Sequence, residues 1–402
     1  MSSRGEATVV WEQFAFDGET PECRRGQRQR RCRGEQMIVR TAVEARSHPA
    51  NGGWGRTGVL ASGRFRSGHK FASDEFEPDA QVAVNRDGDV TVAYRMRVRN
   101  GQRAGGREQV LTVGGRQDVL LSTRRPGGRW RRPVVVAHTA NSDETQLALD
   151  ARGGTILAWN NGGPTGGGEH EPSWVEALVL ARDGKPQGRP QVLSSKSRHA
   201  GEFDLAANSQ GAAVLTWSQE LAEGQGRGPV EAATRPAGGR FTTKPVTLLR
   251  KSSMAIAAIS PQGEATALFE GSFPTGSEEE ASGALEAATL PARGSWSKPQ
   301  ALAPKSGPYA LAYGPDSELI ALWGNQLPPL GPPEHKVAKA VIEASIKPAG
   351  GTWQPPTAIT PENSNSTSAN LALATNGQAT AIWLREPTPG EELIETADYK
   401  PS

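Results

Sequence analysis

The run Gly211–Trp217, GAAVLTW, decides how the rest of the chain is read. A glycine is followed six residues later by an aromatic, with a mostly apolar run between them. The arrangement recurs as GEATVVW (5–11), GDVTVAY (88–94), GGTILAW (153–159), GEATALF (263–269), SELIALW (317–323) and GQATAIW (377–383). Seven copies with one internal spacing in 402 residues mark a repeat architecture. Within a copy both alternating faces are apolar: Leu319, Ala321 and Trp323 interleave with Ile320 and Leu322. A strand with no polar face is buried between two layers.

Outward from this strand, each unit reads as four strands. An alternating, Ala-rich first strand precedes the hairpin, as in QVAV (81–84), QLAL (146–149), DLAA (204–207) and NLALA (370–374). Asn85, Asp150, Asn208 and Ser260 stand three residues before the turn glycine, where a short polar side chain supports a tight turn and the glycine supplies φ > 0. After a variable insertion comes a third strand reading VEA, LEA or a close variant. A proline, a glycine pair and an aromatic follow it, as in RPGGRW (125–130), RPAGGRF (235–241), PARGSW (291–296) and KPAGGTW (347–353). Short fourth strands such as VVVA and VTLL close the unit. Helical periodicity is absent, and 47 Gly with 30 Pro suit many short strands joined by turns.

Four-stranded units repeated in this way predict an all-β chain of the β-propeller class. The opening unit lacks its first strand and the closing unit its fourth. That leaves the strand count between the needs of six and seven blades, and the seven hairpin copies favour seven with an incomplete closing seam. The expectation is one domain over 1–402, with blades near 1–75, 76–142, 143–201, 202–253, 254–307, 308–367 and 368–402.

With these turns in place, the units resemble the repeats of secreted bacterial β-propellers related to the sialidase-type, Asp-box superfamily. That superfamily carries S-x-D-x-G-x-x-W between its third and fourth strands. Here the same place holds PGGRW, AGGRF, RGSW and AGGTW, with the Gly and the aromatic retained and the Ser and Asp missing. The resemblance covers almost the whole chain as architecture and carries no catalytic residue onto it. It implies a secreted or cell-surface protein and, in a second reading, a divergent glycoside hydrolase or lyase with its site in a central funnel.

Net charge is +2 but unevenly spread: residues 1–142 hold 25 Lys and Arg against 15 Asp and Glu. Two insertions concentrate the excess. Residues 15–36 include Arg24, Arg28, Arg30 and Arg31; residues 95–118 include Arg95, Arg97, Arg99 and Arg103. Variable loops on a rigid scaffold are where binding groups collect, and a basic sector attracts anionic polymers. The expected partner is therefore an anionic polysaccharide or a cell-surface protein. Aromatics interleaved with base-reading residues are missing from these loops, which disfavours specific nucleic-acid recognition. No apolar run is long enough to span a membrane as a helix. The expected state is a monomer or a module of a longer protein.

Cys23 and Cys32, eight residues apart, lack the further ligands of a zinc site and are read as a loop-closing disulfide of an extracytoplasmic protein. No signal peptide is seen, and the expectation is that Met1 is not the natural start or that an export signal has been removed. His48, His69, His138, His170, His199 and His335 show no metal-ligand spacing, and no phosphate-binding or nucleophile motif occurs, so no metal, cofactor or catalytic set is expected. A glutamate recurs on the third strand as Glu44, Glu176, Glu231, Glu286, Glu343 and Glu395, with Leu in the second unit. Six equivalent copies read as a structural habit, pairing with a Thr, an Arg or the backbone of a neighbouring blade. The recurring aromatics, including Trp54, Trp130, Phe241, Trp296 and Trp353 of the second turn, read as core. On the first strands, Asp204 and Asn370 are the polar exceptions.

Overall fold

A computed structural model describes residues 5–17, 37–49, 51–67, 79–97, 110–112, 117–139, 144–162, 172–220, 227–252, 254–271, 283–304, 306–330, 337–362, 365–374, 376–388 and 391–400. Every element among them is a β-strand, and the chain divides into two compact units, Met1–Val192 and Leu193–Ser402.

The first unit holds three antiparallel sheets. β1 (Ala7–Asp17), β2 (Met37–His48) and β3 (Gly58–Ser67) form the first. The second is built from β4 (Gln81–Val84) and β5 (Val90–Arg97), followed by β7 (Gln117–Arg124) and β8 (Val134–Thr139). Between them in sequence, β6 (Val110–Thr112) pairs parallel to β3, an addition that the repeat pattern does not foreshadow. β9 (Thr145–Leu149), β10 (Thr155–Gly162), β11 (Ser173–Leu180) and β12 (Gln191–Val192) make the third.

The second unit holds four. β13 (His199–Ala207), β14 (Ala213–Glu220), β15 (Arg227–Arg235) and β16 (Val246–Leu249) form one sheet. The next is β17 (Ala255–Ile259), β18 (Ala265–Glu270), β19 (Leu285–Leu290) and β20 (Gln300–Ala303). β21 (Ser306–Tyr313), β22 (Leu319–Leu330), β23 (Val337–Lys347) and β24 (Thr357–Ala358) follow. β25 (Asn365–Leu373), β26 (Ala379–Thr388) and β27 (Glu391–Tyr399) form the last, which a single parallel pairing of β23 with β25, Ala340 with Asn365, joins to the one before it. Within this unit the first strands of successive sheets pack on one another: β13 on β17, β17 on β21, β21 on β25. Among the described residues no strand pairs with the free side of β1 or with the free side of β27.

The hairpin between first and second strands is built alike in each repeat. Gly211 has φ +80°, and its N–H donates to the Asn208 carbonyl at 2.9 Å. The Asn208 Oδ1 accepts the N–H groups of Gln210 and Ala212, fixing the turn from inside. Ser317 replaces the glycine in the sixth copy and still adopts φ +64°, a conformation that costs an L-residue energy, so the hairpin outweighs the local preference.

The second strands of the second to sixth sheets are sealed, whereas β1 exposes Val9 and half-buries Trp11 and β26 exposes Thr380 and Ile382. Tyr94, Trp159, Trp217, Phe269 and Trp323 are fully buried, and Trp383 nearly so. They organise separate clusters between adjacent sheets, such as Leu268, Leu285, Ala287, Ala321 and Trp323 in the second unit. The second-turn aromatics follow the core reading with one correction. Trp130, Trp296 and Trp353 pack against such clusters, and Phe241 is buried. Trp54 is 44% exposed, with its ring edge-on to that of His48 at 5.3 Å between centroids. Trp130 packs between the first and second sheets.

Candidate functional site

The recurring glutamate has a defined partner, and it lies in its own sheet. In every sheet that carries it, the glutamate sits directly across the ladder from the second-strand aromatic: Trp11–Glu44, Trp159–Glu176, Trp217–Glu231, Phe269–Glu286, Trp323–Glu343 and Trp383–Glu395. The indole N–H donates to the carboxylate at 3.1 Å in Trp217–Glu231, 2.8 Å in Trp323–Glu343 and 3.2 Å in Trp383–Glu395. A buried indole is usually paired in this way; Trp159 is an exception, its Nε1 meeting no acceptor among the described residues while Glu176 accepts the Trp174 N–H at 2.7 Å. The structural reading therefore stands, with its partner corrected from a neighbouring blade to the facing strand. Burial raises the Glu231 carboxyl above the usual carboxylate range, opposed by the bond from Trp217, and burial raises Glu286, which faces a phenyl ring. In the second sheet Tyr94 faces Leu120, and its hydroxyl instead bonds the Ser122 hydroxyl at 3.1 Å. Burial pushes the Tyr94 phenol up to about 12.

Polar chemistry gathers elsewhere in the first unit, at the strand ends where the insertions leave. Asp118, at the start of β7, is buried, and its Oδ1 lies 2.6 Å from Nδ1 of His138 at the end of β8; the imidazole is 53% exposed. With Nδ1–H donated to the carboxylate, Nε2 is left as the basic nitrogen of a positioned imidazole. Beside this pair in sequence and register lies Arg95 on β5, which faces Val119 across the ladder. Its guanidinium Nε is 3.8 Å from Asp79 Oδ2. Asp79 in turn accepts the Thr145 N–H at 2.5 Å and the Thr145 hydroxyl at 2.9 Å, holding the start of β9 to the start of β4. Asp79 achieves this with φ +43°, backbone strain of the kind that accumulates at functional positions.

The structure corrects the sequence reading of Arg95, taken there as part of an insertion. It is a strand residue only 7% exposed, because antiparallel pairing continues through Arg95–Val119, Met96–Asp118 and Arg97–Gln117 before the insertion begins. Arg97 is the last residue of β5. Arg24, Arg28, Arg30, Arg31, Arg99 and Arg103 lie outside the described residues, as do Cys23 and Cys32. Asp79 and Asp118 were missed by sequence reasoning. Each stands alone in the sequence, and only the pairing of β7 with β8 brings Asp118 to a histidine twenty residues away.

The polar exceptions on the first strands also resolve. Asp204 accepts the Ala257 N–H at 2.7 Å, joining β13 to β17, and burial raises its carboxyl above the usual range against that bond and one from Leu205. Glu12 makes the same kind of tie, accepting the Ala80 N–H at 2.8 Å. Asn370 is exposed and its Oδ1 accepts the Leu371 N–H. These acids staple adjacent sheets and are not poised for chemistry. Among the described residues, no three His, Cys, Asp or Glu side chains gather to hold a metal, and no helix is long and apolar enough to cross a membrane.

No protein-family model matches the chain, and no curated protein matches it. Solved structures do. Polysaccharide lyase Uly1 aligns at 9% identity over 90% of this chain and 87% of that chain, with a TM-score of 0.49. An ulvan lyase of family PL25, bound to -[GlcA(1-4)Rha3S]-, aligns at 11% identity over 89% of each chain, also at 0.49. The NanB sialidase from Streptococcus pneumoniae aligns at 7% identity over 87% of this chain and 80% of that one, at 0.41. At such identities and TM-scores the likeness assigns this chain neither a reaction nor a ligand.

Proposed function

We propose that residues 1–402 are a single seven-bladed β-propeller serving as an extracellular, non-catalytic binding or scaffold module that recognises an anionic polymer or glycan through the end of its sheets where the insertions leave. The observation that carries this reading is the division of labour in the first unit. Its strand centres are apolar and sealed around Tyr94 and Trp159, whereas Asp79, Arg95, Asp118, His138 and Thr145 collect at the insertion end. Arg97 is the last residue of β5, and Arg99 and Arg103 follow it in the sequence. Cys23 and Cys32 form a disulfide in this reading.

The test is binding to heparin-like, alginate-like and neutral glucan polymers across a salt series. Anionic polymers should bind and neutral ones should not, with affinity falling as salt rises. The triple variant Arg97→Glu, Arg99→Glu, Arg103→Glu should lose at least ten-fold. Equal binding to neutral glucan, or no effect of charge reversal, sinks the proposal. Calorimetry addresses the single ring: one cooperative unfolding transition supports it, and two separated transitions overturn it.

A second reading is favoured by one observation, the Asp118–His138 pair at 2.6 Å with its half-exposed imidazole. A carboxylate-held imidazole can act as the general base that abstracts a proton in a polysaccharide lyase, whereas a glycoside hydrolase would need a pair of carboxylates. Turnover of any polysaccharide in a lyase and glycosidase panel, abolished by His138→Ala, would replace the non-catalytic reading with this one.

A further inference from the structure

We propose that the turn between β7 and β8 is a second anion-binding site, separate from the insertion end, and that its ligand is an acidic polysaccharide. Arg125, Arg129, Arg131 and Arg132 take the sulfate or carboxylate groups of that polymer. The site stands whether or not the insertion end binds.

Strand direction fixes the place. β7 starts at Gln117, where the second insertion ends, and finishes at Arg124; β8 starts at Val134 and runs back to Thr139. Residues 125–133 therefore lie at the opposite end of the sheet from Asp118 and His138. The turn is well fastened. Gly127 takes φ +63°, the Gly128 N–H donates to the Arg125 carbonyl at 2.9 Å, and the Arg131 N–H donates to the Thr123 carbonyl at 2.9 Å. Trp130 packs with Val90 and Val92, so near Gly58 that a Cβ there would sit 3.3 Å from its ring. Arg124 lies over that ring at 5.3 Å from its centroid, and its Nη2 donates to the Thr8 hydroxyl at 3.5 Å. Trp130 and Arg124 thus tie the turn to the first sheet, and the other four cations take no part in the tie.

The other repeats show what this turn needs in order to fold. The bond from Arg131 to Thr123 recurs from Gly55 to Ser47, Thr242 to Thr234, Ser297 to Thr289 and Gln354 to Ile346. At the positions matching Arg125, Arg129, Arg131 and Arg132, the first, fourth and fifth sheets each carry one basic residue, Arg56, Arg240 and Lys298, and the sixth carries none. The turn therefore forms without arginine at these places. Nor does pairing within the chain account for the four. All are exposed, and none of their guanidinium groups has an ion-pair or hydrogen-bond partner among the described residues. In the third sheet, by contrast, Arg182 lies 2.7 Å from Asp89 and Lys185 lies 2.9 Å from Asp183. Four like charges within eight residues repel one another, so the attraction they exert is for a group outside the chain.

The surroundings select the partner. A guanidinium offers a planar fork of N–H donors that matches the paired oxygens of an oxyanion. A single-stranded nucleic acid also wants ring faces for its bases, and the one aromatic of this turn, Trp130, is packed on Gly58. A bilayer wants apolar side chains that enter it, and the one large apolar residue exposed here is Val134, at the start of β8. An acidic polysaccharide needs neither, because its charges project from a chain that can follow the turn.

The test presents labelled heparin, polygalacturonate, duplex DNA and phosphatidylglycerol vesicles to the full chain and to the triple variant Arg129→Thr, Arg131→Thr, Arg132→Thr. Threonine stands at the matching positions as Thr352, Thr242 and Thr243, so the turn is kept and Tm should hold or rise. Heparin or polygalacturonate should bind the wild type, and the triple variant should weaken that binding at least ten-fold and flatten its salt dependence. Reversal of Arg97, Arg99 and Arg103 reads the insertion end separately. Loss of binding on that reversal, with none in the threonine variant, overturns this site and leaves the insertion-end reading standing; the opposite pattern does the reverse. Failure of both polysaccharides to bind overturns the proposal. DNA or vesicles bound more tightly than either polysaccharide, and released by the threonine substitutions, would assign the turn to a phosphate-bearing partner instead.

Discussion

The second and sixth sheets solve one packing problem in two ways. In the sixth, buried Trp323 presents an N–H and Glu343 stands opposite to accept it at 2.8 Å; Asn325 also donates to that carboxylate, at 3.0 Å. In the second, Tyr94 occupies the same place, Leu120 replaces the glutamate, and the hydroxyl finds Ser122. Glu286, opposite Phe269, keeps the acid without the donor, and burial raises its carboxyl. Glu176 faces Trp159 but accepts the Trp174 N–H instead. Where the acid accepts the facing indole N–H, as Glu231, Glu343 and Glu395 do, it is a packing partner.

The largest way to break this comparison is to remove the ring itself. Trp323→Ala should cost about 3–5 kcal/mol in urea unfolding, the usual range for emptying a buried aromatic site. Trp54→Ala, at an exposed position, should stay within about 0.5 kcal/mol. Equal costs would contradict the burial pattern.

Next in size is the acceptor. Glu343→Ala strands a buried indole N–H and should cost about 1–3 kcal/mol, whereas Glu343→Gln keeps an acceptor oxygen and should cost less. The two variants measured side by side separate hydrogen bonding from charge. Transplanting the sixth-sheet solution into the second, Tyr94→Trp with Leu120→Glu, should show favourable coupling of about 0.5–3 kcal/mol in a double-mutant cycle. Additive effects would mean that the pairing is incidental.

The smallest expected effect concerns pH. Asp204 has a folded-state pKa raised by burial, so its ionisation opposes folding, and its contribution favours the native state as pH falls through that raised value. Asp204→Asn, which retains an acceptor for the Ala257 N–H, should raise Tm at pH 7–8. The gain should vanish below about pH 4, the ordinary carboxylate range. A gain that is constant with pH would mean that the charge is not the cause.

Much of this architecture was legible because strand signals are local. The glycine-to-aromatic spacing, the two-sided apolar run and the turn residue three places before the glycine act within one hairpin, and each hairpin formed as read. Arg95 misled because a strand gains residues wherever its partner extends, and that depends on β7, not on Arg95. Trp54 misled because whether an aromatic is covered depends on what packs over it, which no local motif encodes.

The sequence by itself determined the repeat, its strand order and its buried aromatics, since these follow from periodicity and turn chemistry in short windows. Only the tertiary structure decided which side chains meet across strands. It set Glu343 on the indole of Trp323, Asp118 on His138, and Asp79 on Thr145, and it shaped the cavity lined by Ala344, Ala379 and Ala381. The physical reason is range. Backbone propensity acts over a few residues, whereas hydrogen bonds and cavities arise from register between segments twenty to sixty-six residues apart.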